Sequence, residues 1–430
     1  MLPAFRCNRV DWKASDVMLK QIAVFNSHPI QHLAPWWQEL ARHPDVRLKV
    51  FYFSRANVQP TYDAGFGKVL AYDVDLLAGY DHSFLNRPWP FHKTTAVKGY
   101  IPNLGIRTAM REDHWDAVLV FGYAYLNNWI VMREARRLGI PILYFSDSNG
   151  RAESSKPKWK LALKRLLLRS FFRRISIFLC PGNSNMEYLR LYGVAPERMR
   201  LCPLPVDVSR FRAALDGLDD VKRAELRKRF QSAPDDFVIT FSGKLYEGKR
   251  PQDLADAVRL LGDPRVKALF VGCGPAQEEL RHRGGDSIRM AGFVNQQEIP
   301  SVLALGDLAV MPSANDAHPL AVTESLALGV PVLVSDLIGC HGPDDSLRDG
   351  ENGFVYRCGD IHALAGLIRR LKEDPSLLAS MKQRAVQLVE TQTPQAAARA
   401  VLQCMESLKG TSPLANGKHV EGLFQKSIRT

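Results

Sequence analysis

Short apolar runs alternate with helix-length amphipathic stretches along most of this chain, and that alternation limits the folds open to it. In the first half, the runs at 21–25, 48–53, 117–121, 141–145, 177–180 and 199–202 read as strands, with helices at 35–42, 127–138, 158–173 and 185–192. In the second half, strands are predicted at 236–241, 267–271, 288–291, 308–311, 331–335 and 353–356. Helices are predicted there at 251–261, 276–283, 299–304, 319–328, 361–373 and 375–391. Strands separated by helices do not form hairpins; they pair in parallel through crossovers and build doubly wound α/β sheets. At 430 residues the chain is about two to three times a typical domain, so two such units are expected. The break falls at Pro203-Leu-Pro-Val-Asp207, whose prolines enforce extended backbone. This divides the chain into a leader (1–20), a first unit (21–207), a second unit (208–409) and a polar tail (410–430). The leader lacks periodicity, and Met18 is a candidate start because a clean strand follows it. The stretch 57–98, rich in Gly, Asp and aromatics, reads as an insertion, and long loops in compact domains tend to be functional.

Chemistry concentrates at the carboxyl ends of predicted strands in the second unit. The segment NDAHPLAVTESLALGVPVLVS, 315–335, reads as loop, helix and strand, with Pro319 suited to a first helical turn and Gly329 closing the helix. It holds two carboxylates eight residues apart, Asp316 in the loop and Glu324 on the helix. The free backbone N–H groups around a helix start suit a phosphate, here in the segment His318, Pro319, Leu320 and Ala321, of which Pro319 has no N–H of its own. Upstream, SGKLYEGKRP (242–251) places Gly243 at a tight turn and two cations, Lys244 and Lys249, five apart before a helix. Paired cations there suit a diphosphate whose charge grows as a sugar–phosphate bond breaks. FVGCGP (270–275) brings Gly272 and Gly274 into a strand-to-helix turn, and Gln277 at the third position argues against a dinucleotide fingerprint. Gly292-Phe293-Val294 follows another strand. In the first unit, SHPIQHLAP (27–35) leads from strand to helix and offers His28 and Gln31 to a cleft. His28 and His32 stand four apart without H-E-x-x-H or a third ligand, so they do not read as a metal site. Asp73-Val-Asp75 matches D-x-D formally but precedes an apolar run.

These segments together resemble the retaining GT-B glycosyltransferases of family 4. Asp316 and Glu324 match the E-x7-E element, with Asp in the first position. Lys244 and Lys249 match the G-R-L-x-x-x-K-G element, with Lys at the arginine position. The segments Gly65-Phe66-Gly67 with 72–80, Phe121-Gly122-Tyr123, 136–143 and Ser146-Asp147-Ser148 extend the likeness to a bacterial branch, over about residues 21–405. The resemblance implies the GT-B fold, two Rossmann-like doubly wound domains facing across a cleft. It also implies transfer of a sugar from a nucleotide diphosphate donor to a glycan or lipid-linked acceptor with retention, as in polysaccharide biosynthesis, without metal or cofactor. Under it, Lys244 and Lys249 neutralise the leaving diphosphate with N–H groups near Pro319, Leu320 and Ala321. Glu324 binds ribose hydroxyls, and Asp316 binds the transferred sugar. The Gly272–Gly274 turn and the backbone at Phe293 and Val294 line the nucleotide side.

The formal net charge of +12 calls for an anionic partner, and much of it lies in 151–174. Nine cations stand there against Glu153 alone, interleaved with Trp159, leucines and phenylalanines at helical spacing. Residues 156–174 therefore read as a helix for an anionic membrane surface, or as a surface helix whose apolar side packs on its own domain. No pattern for nucleic-acid recognition accompanies the charge. No apolar run reaches the length of a membrane span, and the first twenty residues hold no signal-type apolar core. Seven scattered cysteines without a C-x2-C pair fit a reducing compartment. The expectation is a cytoplasmic enzyme, peripheral on the inner membrane face. A nucleotide-sugar epimerase or hydrolase, or a non-catalytic basic membrane or nucleic-acid binding protein, remain the alternatives.

Overall fold

The computed structural model describes residues 20–63, 66–85, 101–150 and 157–409. The leader up to residue 19, Lys156 and the tail 410–430 lie outside the described residues. The first half contributes β1 (Lys20–Asn26), β2 (Val46–Tyr52), a hairpin of β3 (Thr61–Asp63) and β4 (Lys68–Leu70), β5 (Asp81–Phe84), β6 (Ala117–Phe121), β7 (Ile142–Phe145), β8 (Ile177–Cys180) and β9 (Met199–Leu201). All but the hairpin form one parallel sheet in the order β5-β2-β1-β6-β7-β8-β9. The second half contributes β10 (Phe237–Ser242), β11 (Val266–Val271), β12 (Ile288–Gly292), β13 (Leu308–Met311), β14 (Val332–Ser335) and β15 (Gly353–Tyr356). These form a second parallel sheet in the order β12-β11-β10-β13-β14-β15. The predicted strands and the two-sheet α/β architecture are present.

The strands read as continuous apolar runs because helices cover both faces of each sheet. Along β1, Ile22 and Val24 enter one core cluster with Trp36 and Trp37, while Ala23 and Phe25 enter another with Phe51 and Val118. The second sheet repeats this division, with Val238 and Ile239 sent to opposite layers. Alternate side chains thus feed different cores, and no polar face is left to produce an alternating pattern.

Several elements depart from the sequence reading. The insertion at 57–98 holds the β3–β4 hairpin and the edge strand β5, whose DHSF sequence carries little strand signal. The charged stretch 216–229, read as a separator, contains the helix Asp220–Arg229, capped by Asp219, which accepts from the Lys222 N–H at 2.8 Å. That helix buries no side chain fully, so its sequence lacks an apolar stripe. Asp207 likewise caps Val208–Asp216 by accepting from Arg210 N–H at 3.1 Å. The helix predicted at 375–391 stops at Leu388 and passes through a 3-10 turn into a further helix, Pro394–Lys409. This last helix crosses back, and its Ala397, Val401, Cys404 and Met405 join Trp36, Trp37 and Leu40 in a first-sheet core. The chain's end therefore fastens the two halves together, although it follows the second sheet in sequence.

A charge on the inward side of that helix would lose water without gaining a partner. Val401→Asp is expected to lower unfolding free energy by about 3 kcal/mol or more, and Gln403→Asp on the exposed side by less than about 0.5 kcal/mol, measured by denaturant melts. Equal effects at the two positions would contradict the packing described.

Candidate functional site

The carboxyl ends of β10 to β13 open toward the first unit, where open α/β sheets place their ligands. Between the halves lies a cavity of about 220 Å³. From the second half it is lined by Gly243, Lys249, Gly272, Phe293, Val294, Asp316, Pro319, Leu320, Ala321 and Glu324, and from the first by Gln31, Phe66 and Tyr72. Residues separated by nearly 300 positions thus meet in one place.

Backbone close packing sets the floor of this cavity. The loops after β10 and β11 are stitched by Gly243 N–H to Val271 C=O and Leu245 N–H to Cys273 C=O, both 2.9 Å. A Cβ on Gly272 would lie 1.9 Å from the Gly243 carbonyl oxygen, and its φ of +145° disfavours any side chain. Gly274 makes the same close approach to Leu245 but does not line the cavity. Its role is packing.

The Lys249 amine, delivered by the 3-10 turn Glu247–Lys249, forms an ion pair with the Asp316 carboxylate. Asp316 is fixed in turn, because its backbone carbonyl accepts from Gly339 N–H at 3.0 Å. The helix Leu320–Ala327 begins beside this pair at Pro319, with no side-chain cap and no acidic residue in its first turn. Its positive dipole end is therefore turned to the cavity without a carboxylate of its own. Glu324 lies one turn further in. Burial pushes its carboxyl up to about 7, opposed by the charge of Arg210.

Lys244 is placed differently. It does not line the cavity; its amine pairs with Asp63 at 2.8 and 3.0 Å and sits 4.9 Å over the Phe66 ring. Asp63 and Phe66 belong to the insertion, which crosses to the second unit as a strap. Phe66 meets Phe293 edge to face at 5.4 Å, and Lys68 lies 4.3 Å over the same Phe293 ring. Further along, the Asn295 side chain donates to Ala71 C=O at 2.7 Å, and Gln297 Nε2 donates to Asp73 C=O at 2.6 Å. The Asp73 carboxylate accepts from Gln297 N–H, and Asp75 accepts from Leu77 N–H at 2.9 Å, so both acids of the D-x-D serve the backbone. Among the described residues no cluster of three metal-ligating side chains occurs. Nothing in residue spacing marks Asp63, Phe66 or Tyr72 as site residues, since their placement depends on where the hairpin lands.

His28 and His318 do not line the cavity either. They flank His32, and burial lowers all three to about 4, with His32 further disfavoured by the charges of His28 and His318. His28 Nδ1 lies 2.9 Å from Ser27 Oγ, while His32 Nδ1 and His318 Nε2 are buried without a partner. All three lie outside that cavity, and His32 lines a neighbouring recess with Gln31 and Glu324. In the first unit, desolvation raises the pKa of Asp147, and the charge of Asp316 adds to it.

Two family models match the chain, "Glycosyl transferases group 1" over residues 222–388 and "Glycosyltransferase Family 4" over residues 66–210. The D-inositol 3-phosphate glycosyltransferase of Streptomyces bingchenggensis (strain BCW-1) is 31% identical over 208 residues, 45% of this chain and 44% of that protein. The UDP-Gal:alpha-D-GlcNAc-diphosphoundecaprenol alpha-1,3-galactosyltransferase of Escherichia coli is 25% identical over 254 residues, 56% of this chain and 63% of that protein. This chain thus spans less than two thirds of either curated relative. Among solved structures, Anabaena HepE in complex with UDP superposes with a TM-score of 0.67 at 16% identity, covering 90% of this chain and all of that one. That likeness carries the GT-B fold.

The buried histidines set a pH dependence. Between about 4 and 6.5 the unfolded chain binds protons at these positions that the folded chain does not, so stability falls as pH drops through that window. Glu324 acts oppositely: its raised affinity favours the fold at low pH, and that contribution is lost as pH rises from 4.5 through about 7. With three histidines against Glu324 and Asp147, the melting temperature should climb from pH 4.5 to 6.5, and His32→Gln should make the climb shallower in scanning calorimetry. An unchanged slope would contradict neutral burial of His32.

Proposed function

Because the chain belongs to the glycosyltransferases of group 1 and family 4, we propose that it transfers a sugar from a nucleotide diphosphate donor to a glycan or lipid-linked acceptor, with retention and without a metal ion. The observation that carries this reading is the Lys249–Asp316 pair beside an uncapped helix start, inside a cavity that also holds Glu324. The bond from the sugar's anomeric carbon to the diphosphate breaks and a bond to the acceptor oxygen forms on the same face. The acceptor's proton passes to the departing phosphate oxygen. Lys249 and the N–H groups of Leu320 and Ala321 meet the growing diphosphate charge. Asp316, released from Lys249 as the phosphate takes its place, holds the sugar's hydroxyls.

Glu324, whose carboxyl burial pushes toward the neutral form, can both donate to and accept from ribose hydroxyls. The base lies against the backbone at Phe293 and Val294, under the strap. Lys244 exchanges Asp63 for a phosphate oxygen, so the strap moves when the donor binds. His28 and Gln31 face the acceptor side, Gln31 directly and His28 by placing the loop. Uridine is the base to test first, since the E. coli relative uses UDP-Gal and HepE binds UDP. A lipid-linked glycan acceptor follows the same relative's name. On this reading the first unit (21–207) receives the acceptor and the second (208–409) the donor, in the cytoplasm at the inner membrane face.

Lys249→Ala should lower kcat by about a hundred-fold or more in protein that still melts cooperatively, assayed by nucleoside diphosphate release in the presence of acceptor; unaltered turnover would sink the role. Excess EDTA should leave turnover unchanged, and its abolition would overturn the metal-free mechanism. Release of free sugar at the same rate without acceptor would favour a hydrolase instead.

A further inference from the structure

The helix Lys158–Phe172 carries two apolar faces, and the fold uses one. Leu168, Phe171 and Phe172 are buried, with the Phe171 ring 4.4 Å from Trp129 and 5.8 Å from Tyr144. Lys164 is drawn to this inner side, its amine 5.2 Å from the Tyr123 ring and 5.4 Å from that of Tyr188. The second face is turned the other way. Trp159, Leu163, Leu166 and Leu167, at i, i+4, i+7 and i+8, are 65%, 52%, 69% and 53% exposed. At about 100° per residue they form one stripe opposite Leu168. The sequence reading offered a lipid-facing apolar side or a side packed on its own domain; the helix has both.

Charge selects the occupant of the exposed stripe. Lys158, Arg165, Arg169 and Arg173 run along one margin and Lys160 along the other, and no Asp or Glu occurs from 157 to 174. A second copy docked through this stripe would set rows of arginine against arginine. An anionic bilayer takes the leucines and tryptophan at the acyl boundary and the cations at its headgroups. At 15 residues the helix is about 22 Å long, and among the described residues no helix is long and apolar enough to cross a membrane. It suits lying in the interface. It starts on the side where β7 ends, and Tyr123, which Lys164 approaches, follows the carboxyl end of β6. The stripe therefore flanks the mouth of the cleft.

We propose that the exposed Trp159–Leu163–Leu166–Leu167 face, with its basic margins, docks the protein on an anionic lipid bilayer beside the cleft. The surface lies outside the cavity, and its assay needs no donor, so its outcome is separate from that of the transfer reaction. Full-length protein should sediment with phosphatidylcholine vesicles containing roughly a third phosphatidylglycerol and not with phosphatidylcholine alone. Leu163→Ser, Leu166→Ser and Leu167→Ser combined should weaken that binding about ten-fold or more without lowering the melting temperature. Charge reversal by Arg165→Glu with Arg169→Glu, which leaves the leucines in place, should do the same. Binding retained by either variant, or absent from the wild type, would overturn the proposal. So would a wild-type dimer in sedimentation equilibrium that the serine variant converts to monomer.

Discussion

The ion pair between Lys249 and Asp316 is the contact around which the cleft is organised. A lysine amine and a carboxylate recessed between two units would each suffer desolvation alone, and pairing offsets part of that cost. Lys244 meets the same requirement through Asp63. Glu324 has no such partner in contact, and its carboxyl is pushed toward neutrality. A diphosphate entering the cleft offers both lysines a denser negative charge than a carboxylate does. On the proposed function, the protein's own acids hold the cations in place as exchangeable partners.

That arrangement rests on backbone geometry more than on side-chain choice. Parallel strands end together, so the loops after β10, β11, β12 and β13 all emerge at one edge. Gly272 lets two of those loops approach within a distance no Cβ permits, which brings the Lys249 turn near the start of the helix at Leu320. The strap from the first unit then covers the Phe293 side, and the helix Pro394–Lys409 ties the chain's end to the first sheet. Closure of the cleft is thus built from elements far apart in sequence.

What the sequence made legible follows from periodicity and from local motifs. Buried parallel strands are continuous apolar runs, so β1, β6, β10, β13 and β14 were readable to within a residue or two. Lys249, Asp316 and Glu324 were readable because each sits at a fixed offset from a strand end. Lys244 lies in the same loop as Lys249, yet its side chain turns to Asp63, and a linear pattern carries no information about rotamer or partner. The hairpin, the edge strand β5 and the helix Asp220–Arg229 bury too little apolar surface to leave a stripe in the sequence. For the helix Lys158–Phe172 the sequence offered an apolar side for a membrane or one for its own domain, and could not show that the apolar residues divide between a buried and an exposed face.

The central claim is that this cleft recognises a diphosphate through Lys249 and the helix start at Leu320. Titration calorimetry with a nucleoside diphosphate and its parent nucleoside, beginning with UDP and uridine, tests it most directly. The account predicts that the diphosphate raises affinity by about a hundred-fold. Equal affinity for the two, or binding of neither by any nucleotide pair, would contradict it.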